Sequence, residues 1–115
     1  MGTIVYAITF DCANAAELAE FWARATDRAV DPDASEVFAS IDGKDDRPRM
    51  MFIKVSEGKT AKNRVHLDLV STDLDAEAAR LVSLGAARGG EFTEAGAHWI
   101  TLADPEGNEF DLIGA

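Results

Sequence analysis

Alternation opens the chain. From Ile4 to Asp11, Ile4, Tyr6, Ile8 and Phe10 fall on one side of an extended segment, and Val5, Ala7, Thr9 and Asp11 on the other. The stretch NAAELAEFWARAT then changes to helical spacing, with Leu18, Phe21, Trp22 and Ala25 on one face. Asn14 followed by Glu17 three residues on has the form of a capping box and predicts where that helix begins. Weaker strand signals follow at Ala29-Val30 and in EVFASI, and the turn DGKDDRP leads into RMMFIKV, a well-patterned strand. SEGKTAKN is polar, contains Gly58 and has no apolar period, which predicts a linker.

The pattern then restarts. In NRVHLDLV, Val65, Leu67 and Leu69 face one way and His66, Asp68 and Val70 the other. Asp73 is placed to cap a second helix, LDAEAARLVSLG, with the stripe Leu74, Ala78, Leu81 and Val82. Asp75 and Glu77 suit the positive end of that helix, and Gly85 supplies a left-handed stop. ARGGEF, HWITLA and NEFDLI read as three more strands, the last two joined by the turn DPEGN. Ala7 precedes the cap Asn14 by seven positions, and His66 precedes the cap Asp73 by the same seven. Each half therefore reads strand–helix–strand–strand–strand. This predicts an α+β protein of two βαβββ modules, about 1–57 and 63–115 around a linker at about 58–62, whose curved sheets face each other around a cleft.

Composition narrows the function classes. At 115 residues the chain is expected to form one domain without staples. A net charge of -10 and a pI of about 4.4 argue against nucleic-acid backbones and anionic membrane surfaces as partners. Cys12 is the single cysteine, so neither an intrachain disulfide nor a thiolate zinc cluster is available, which suits a reducing cytoplasm. MGTIVYAITFDC has no basic leader and no long apolar run, and reads as a first strand rather than a signal peptide.

The paired modules, and the stretches FDCANAAELAEFW, KNRVHLDLVSTDLDAEAARLVSLGA and WITLADPEGNEF, resemble the vicinal oxygen chelate superfamily. Within it the chain is similar to small bacterial glyoxalase-like and bleomycin-resistance-type domain proteins. The resemblance covers nearly the whole chain and is weakest from Asp27 to Asp46. It implies a homodimer, and it implies four strand positions around a divalent ion, which fall here on Ala7, Ile53, His66 and Asp111. Two of these cannot coordinate, whereas an open zinc site uses three protein ligands and a magnesium or manganese site several oxygens. Asp11, four residues along from Ala7, and Asp68, two along from His66, are the same-face neighbours able to complete a set with displaced geometry.

His66 is accordingly the candidate catalytic residue, as an acid–base group, and His66 with Asp111 forms an incomplete candidate metal pair. The expected ligand-binding residues are Ala7, Thr9, Met51, Ile53, His66, Asp68, Trp99 and Asp111, with Val55, Val70 and Ile113 as further lining. His98 and Trp99 fall on opposite faces of their strand, and periodicity does not choose between them. Trp22 is assigned to the core. Lys59, Lys62 and Arg64 form a small basic run, read as a solvated linker or as a rim that guides an anionic substrate. Gly89-Gly90 is a turn or bulge signal, and Cys12 an inert or partly buried thiol. The reading adopted is a cytoplasmic protein that binds a small, partly apolar molecule in the cleft, with no cofactor expected. The alternatives are a lyase, isomerase or dioxygenase using a divalent metal or His66 alone, and a dimerising interaction module with a degenerate cleft.

Overall fold

The computed structural model describes residues 2–44 and 47–115, so Asp45 and Asp46 of the expected turn DGKDDRP lie outside the described residues. Contacts divide the chain into two compact units, 1–58 and 59–115, with the division falling inside the polar SEGKTAKN stretch.

The first unit runs β1 (Ala7–Cys12), α1 (Ala15–Ala25), β2 (Phe38–Ile41) and β3 (Arg49–Lys54). β3 is central, parallel to β1 and antiparallel to β2. Asn14 caps α1 by accepting from the Glu17 backbone N–H, as its spacing predicts. The stripe Leu18, Phe21, Trp22 and Ala25 is buried, together with Ala39, Ile41, Met50 and Phe52 from one face of the sheet. Phe10 sits between two of these side chains, stacked on Phe52 at 5.1 Å and tilted against Trp22 at 5.3 Å between ring centroids.

Two strand expectations contract here, each beside a proline. β1 begins at Ala7 rather than Ile4, and Ile4, Val5 and Tyr6 are exposed. Ala7 lies opposite Arg49, so the next residue outward on β3 is Pro48, which has no N–H with which to continue the ladder. Ala29-Val30 is not a strand. Its trace is one hydrogen bond, from the Asp31 N–H to the Ser40 carbonyl at 2.8 Å. Pro32 follows at once, and Asp33 turns the chain with φ 71°. Among the described residues the first unit is therefore βαββ, with three strands.

The second unit carries all four predicted strands: β4 (Asp68–Ser71), α2 (Leu74–Leu84), β5 (Ala87–Glu94), β6 (Ala97–Ala103) and β7 (Glu109–Gly114). Their order is β4-β7-β6-β5, with β4 parallel to β7 and the rest antiparallel. Asp73 accepts from the Ala76 N–H at the start of α2, and Gly85 ends it at φ 124°. Ala78 and Leu81 are buried with Ile100, Leu102, Phe110 and Leu112. Val82, expected on the stripe, is instead 43% exposed. The Gly89-Gly90 signal is a register shift between β5 and β6, where a Cβ on Gly89 would come within 2.9 Å of the Thr101 carbonyl oxygen.

The β6–β7 turn is built on Asp104, a buried carboxylate. Its Oδ1 accepts from the Glu106 and Asn108 N–H groups at 2.9 and 3.0 Å, and its Oδ2 from the Asn108 side-chain amide at 2.9 Å. That turn sets the register of the two strands, so its loss should be felt globally. Asp104→Ala is expected to lower unfolding free energy by about 2–3 kcal/mol, the scale of hydrogen bonds to a buried charged group. Asp104→Asn should cost less, and chemical denaturation of both variants checks the order.

Candidate functional site

Side chains opposite one another in a sheet point to the same face, so the registers of the second unit define transverse rows. One row is polar: Asp68 on β4 lies opposite Asp111 on β7, which lies opposite Thr101 on β6. The next is apolar: Val70, Ile113, Trp99 and Phe92 follow in order across all four strands. Phe92 and Trp99 stack at 5.6 Å between centroids. This settles the choice left open by periodicity. Trp99 shares a face with Asp111, whereas His98 has the opposite parity and pairs through Nε2 with Glu91 Oε2 at 2.5 Å.

His66 lies just before β4 and returns over the polar row. Its Nδ1 is 2.9 Å from Asp68 Oδ1 and 3.9 Å from Asp111 Oδ2, while the Thr101 hydroxyl donates to Asp111 Oδ1 at 2.7 Å. His66, Asp68 and Asp111 can offer one ligand atom each, all within 4.8 Å of one another. A cavity of about 220 Å³ opens beside them, lined by Lys62, His66, Phe92, Trp99, Thr101, Glu109 and Asp111.

Glu109 shapes one wall of this cavity. Its Oε1 accepts from the Asn63 N–H at 3.1 Å and from Lys59 Nζ at 3.1 Å, while its own carbonyl accepts from the Asn63 side-chain amide at 3.2 Å. Hydrogen bonds from the backbone N–H groups of Asn63 and of Glu109 itself, and then the Lys59 contact, hold the Glu109 carboxyl down at about 2. Lys59 also donates to the Ala61 carbonyl, so the segment from Lys59 to Asn63 is tied both to itself and to β7.

Of the residues expected at the site, the second unit brings together His66, Asp68, Trp99 and Asp111. Ala7, Thr9, Met51 and Ile53 share one face of the first sheet, the face opposite the buried Met50 and Phe52. The internal repeat also corrects one correspondence. Thr9 pairs with Met51 as Asp68 pairs with Asp111, so the first-unit counterpart of Asp111 is Met51 rather than Ile53. Neither side chain offers an ionic donor to a hard cation. Phe92, Thr101 and Glu109 were missed as site residues. Thr101 could have been found, because it stands two residues from Trp99 on the same strand face.

A glyoxalase-like domain family model matches residues 7–113. The chain belongs to the glyoxalase-like domain family. No curated protein matches it. Among solved structures, a glyoxalase/bleomycin resistance protein/dioxygenase family enzyme from Burkholderia phytofirmans superposes with a TM-score of 0.80 at 14% identity, covering 97% of this chain and 98% of its own. Oxidase ChaP-H2 gives 0.74 at 17% identity, over 100% and 95%. The bleomycin-binding protein of Streptomyces verticillus, complexed with copper(II)-bleomycin, gives 0.66 at 14% identity, over 100% and 98%. At these identities the structures establish the fold: the vicinal oxygen chelate architecture of two α+β modules.

The low Glu109 value has a definite pH consequence. A carboxylate depressed from 4.5 to about 2 contributes stability above its unfolded value and loses it as pH falls through the folded one. The tie between β7 and the Lys59–Asn63 segment should therefore hold at pH 4 and release only as pH falls toward 2. Carboxyl carbon shifts followed by NMR should place the Glu109 titration well below those of the exposed glutamates. Glu109→Gln should speed amide exchange at Asn63 at neutral pH.

Proposed function

We propose that this glyoxalase-like domain binds a small, partly apolar molecule on the open face of its second sheet. The observation that carries the reading is the cavity of about 220 Å³ in which a stacked Phe92–Trp99 wall meets the polar group His66, Thr101 and Asp111. Apolar walls with a few converging polar groups are the ordinary makeup of a small-molecule site. Trp99 supplies area for a flat ring; Asp111, steadied by Thr101, accepts a hydrogen bond from the ligand; and His66 gives or takes a proton at its imidazole. In this proposal the open face of the first sheet, with Ala7, Thr9, Met51 and Ile53, forms a second ligand-facing surface, and the protein assembles as the homodimer that the resemblance implies.

A second reading is an enzyme with a divalent ion, favoured by the convergence of His66, Asp68 and Asp111. Two ligands at right angles, each about 2.1 Å from an ion, stand about 3.0 Å apart. The 2.9 Å between His66 Nδ1 and Asp68 Oδ1 fits that spacing, and the 3.9 Å to Asp111 Oδ2 must shorten to meet it. One imidazole and two carboxylates suit a borderline or hard cation, which would act there as a Lewis acid toward a ligand oxygen.

Trp99→Ala should weaken the binding of flat aromatic probes about tenfold, and through the lost stack on Phe92 lower unfolding free energy by about 1 kcal/mol without unfolding the protein. Calorimetric titration with manganese(II) and zinc(II) decides the second reading. Micromolar binding lost in both His66→Ala and Asp68→Ala supports a metal-dependent enzyme, and flat titrations of the wild type dismiss it.

A further inference from the structure

Two carboxyl side chains and one amine line the cavity of the second unit, and the two carboxyls are already engaged. Glu109 accepts from Lys59 and Asn63, and Asp111 accepts from Thr101. Lys62 is the third, and among the described residues no hydrogen bond or ion pair engages it. The backbone on either side of it is nevertheless anchored. The residues around it are held by Lys59 on the Ala61 carbonyl and by Asn63 on the carboxylate and carbonyl of Glu109. An anchored backbone thus presents a free ammonium group at the rim of a small cavity with an aromatic wall. The chain as a whole carries a net charge of -10, so this local cation runs against the general field.

We infer that the cavity selects an anionic ring compound, a hydroxyl-bearing aromatic carboxylate being the simplest case, and that Lys62 is the residue that reads the anion. The inference rests on the small-molecule reading proposed above and names the ligand class. Size restricts the ligand, because about 220 Å³ is below the roughly 300–1,000 Å³ of sites for drug-sized molecules. Charge orients it. Asp111 repels a carboxylate and accepts from a hydroxyl, so the two ends of the ring compound have different partners: the anion on Lys62, the hydroxyl on Asp111 and His66. The ring between them lies against Phe92 and Trp99.

The test compares three probes of nearly equal shape, 4-hydroxybenzoate, 4-hydroxybenzamide and 4-hydroxybenzylamine, by calorimetry against the wild type, Lys62→Met and Lys54→Met. Lys54 lies on β3 of the first unit, so its substitution removes one positive charge without touching the cavity. The wild type should prefer the acid to the amide by about fivefold, the upper scale for a partly exposed charge contact, and the preference should shrink as salt rises. Lys62→Met should abolish the preference while still binding the amide, and Lys54→Met should keep it. Equal binding of acid and amide, tighter binding of the amine, or a preference that survives Lys62→Met overturns the anion assignment and leaves the pocket standing. If none of the three binds the wild type at millimolar concentration, the small-molecule reading falls and this inference with it.

Discussion

Two carboxylates on neighbouring strands set the terms for the second unit. Parallel pairing of β4 with β7 puts Asp68 beside Asp111, and like charges directly opposite in a sheet repel. Parallel neighbours also cannot be joined by a tight turn, so the pair exists only because α2 and the β5–β6 hairpin together form the crossover. The repulsion is offset from two directions: the crossover delivers Thr101, which donates to Asp111, and the chain before β4 carries His66 to 2.9 Å from Asp68. The polar group is a consequence of topology. It leaves a surplus of negative charge that a proton on His66, a cation or a hydrogen-bond donor from a ligand can relieve.

The first unit repeats the frame with different contents. Its strand order β1-β3-β2 matches β4-β7-β6, and the row Thr9, Met51, Ser40 occupies the place of Asp68, Asp111, Thr101. The hydroxyl is kept and redirected: Ser40 donates to Asp31 at 2.6 Å, on the segment that stands where the second unit has β5. The carboxylate pair is gone. With no cross-strand repulsion to offset, the first unit needs no imidazole, and Ala7 takes the position of His66 in the repeat. The same backbone thus carries a cross-strand carboxylate pair in one half and none in the other, because parallel pairing is made by main-chain bonds that do not depend on it.

Much of this frame was legible in the sequence, and the reasons differ by element. Both helices were readable apart from the exposed Val82, since Asn14 and Asp73 act locally and the stripes follow one period. The family resemblance located His66 and Asp111. Strand ends were less legible, because a strand stops where its partner runs out of donors. Nothing around Ile4 says that Pro48 will lie beyond the end of the ladder, forty residues away. The choice between His98 and Trp99 needed register, which the DPEGN turn fixes through Asp104. Phe92 was harder still. The shift at Gly89-Gly90 decides which β5 residue stands opposite Trp99, and composition marks only that a bulge is there.

That bulge bears on function as well as on register. After it, β5 returns to pairing with Phe92 opposite Trp99, which extends the apolar row to the edge strand and brings the two rings into stacking contact. A one-residue slip would turn Phe92 to the other face and leave Trp99 beside a threonine or a glutamate. Polar and apolar rows would still exist, but the second would end at Trp99 and the cavity would lose one side of its wall. Gly89 is required for this arrangement because a Cβ there would meet the Thr101 carbonyl at 2.9 Å, on the strand whose hydroxyl steadies Asp111. The aromatic wall and the polar group are therefore coupled through a single strand: β6 cannot shift to relieve crowding at Gly89 without moving both Trp99 and Thr101.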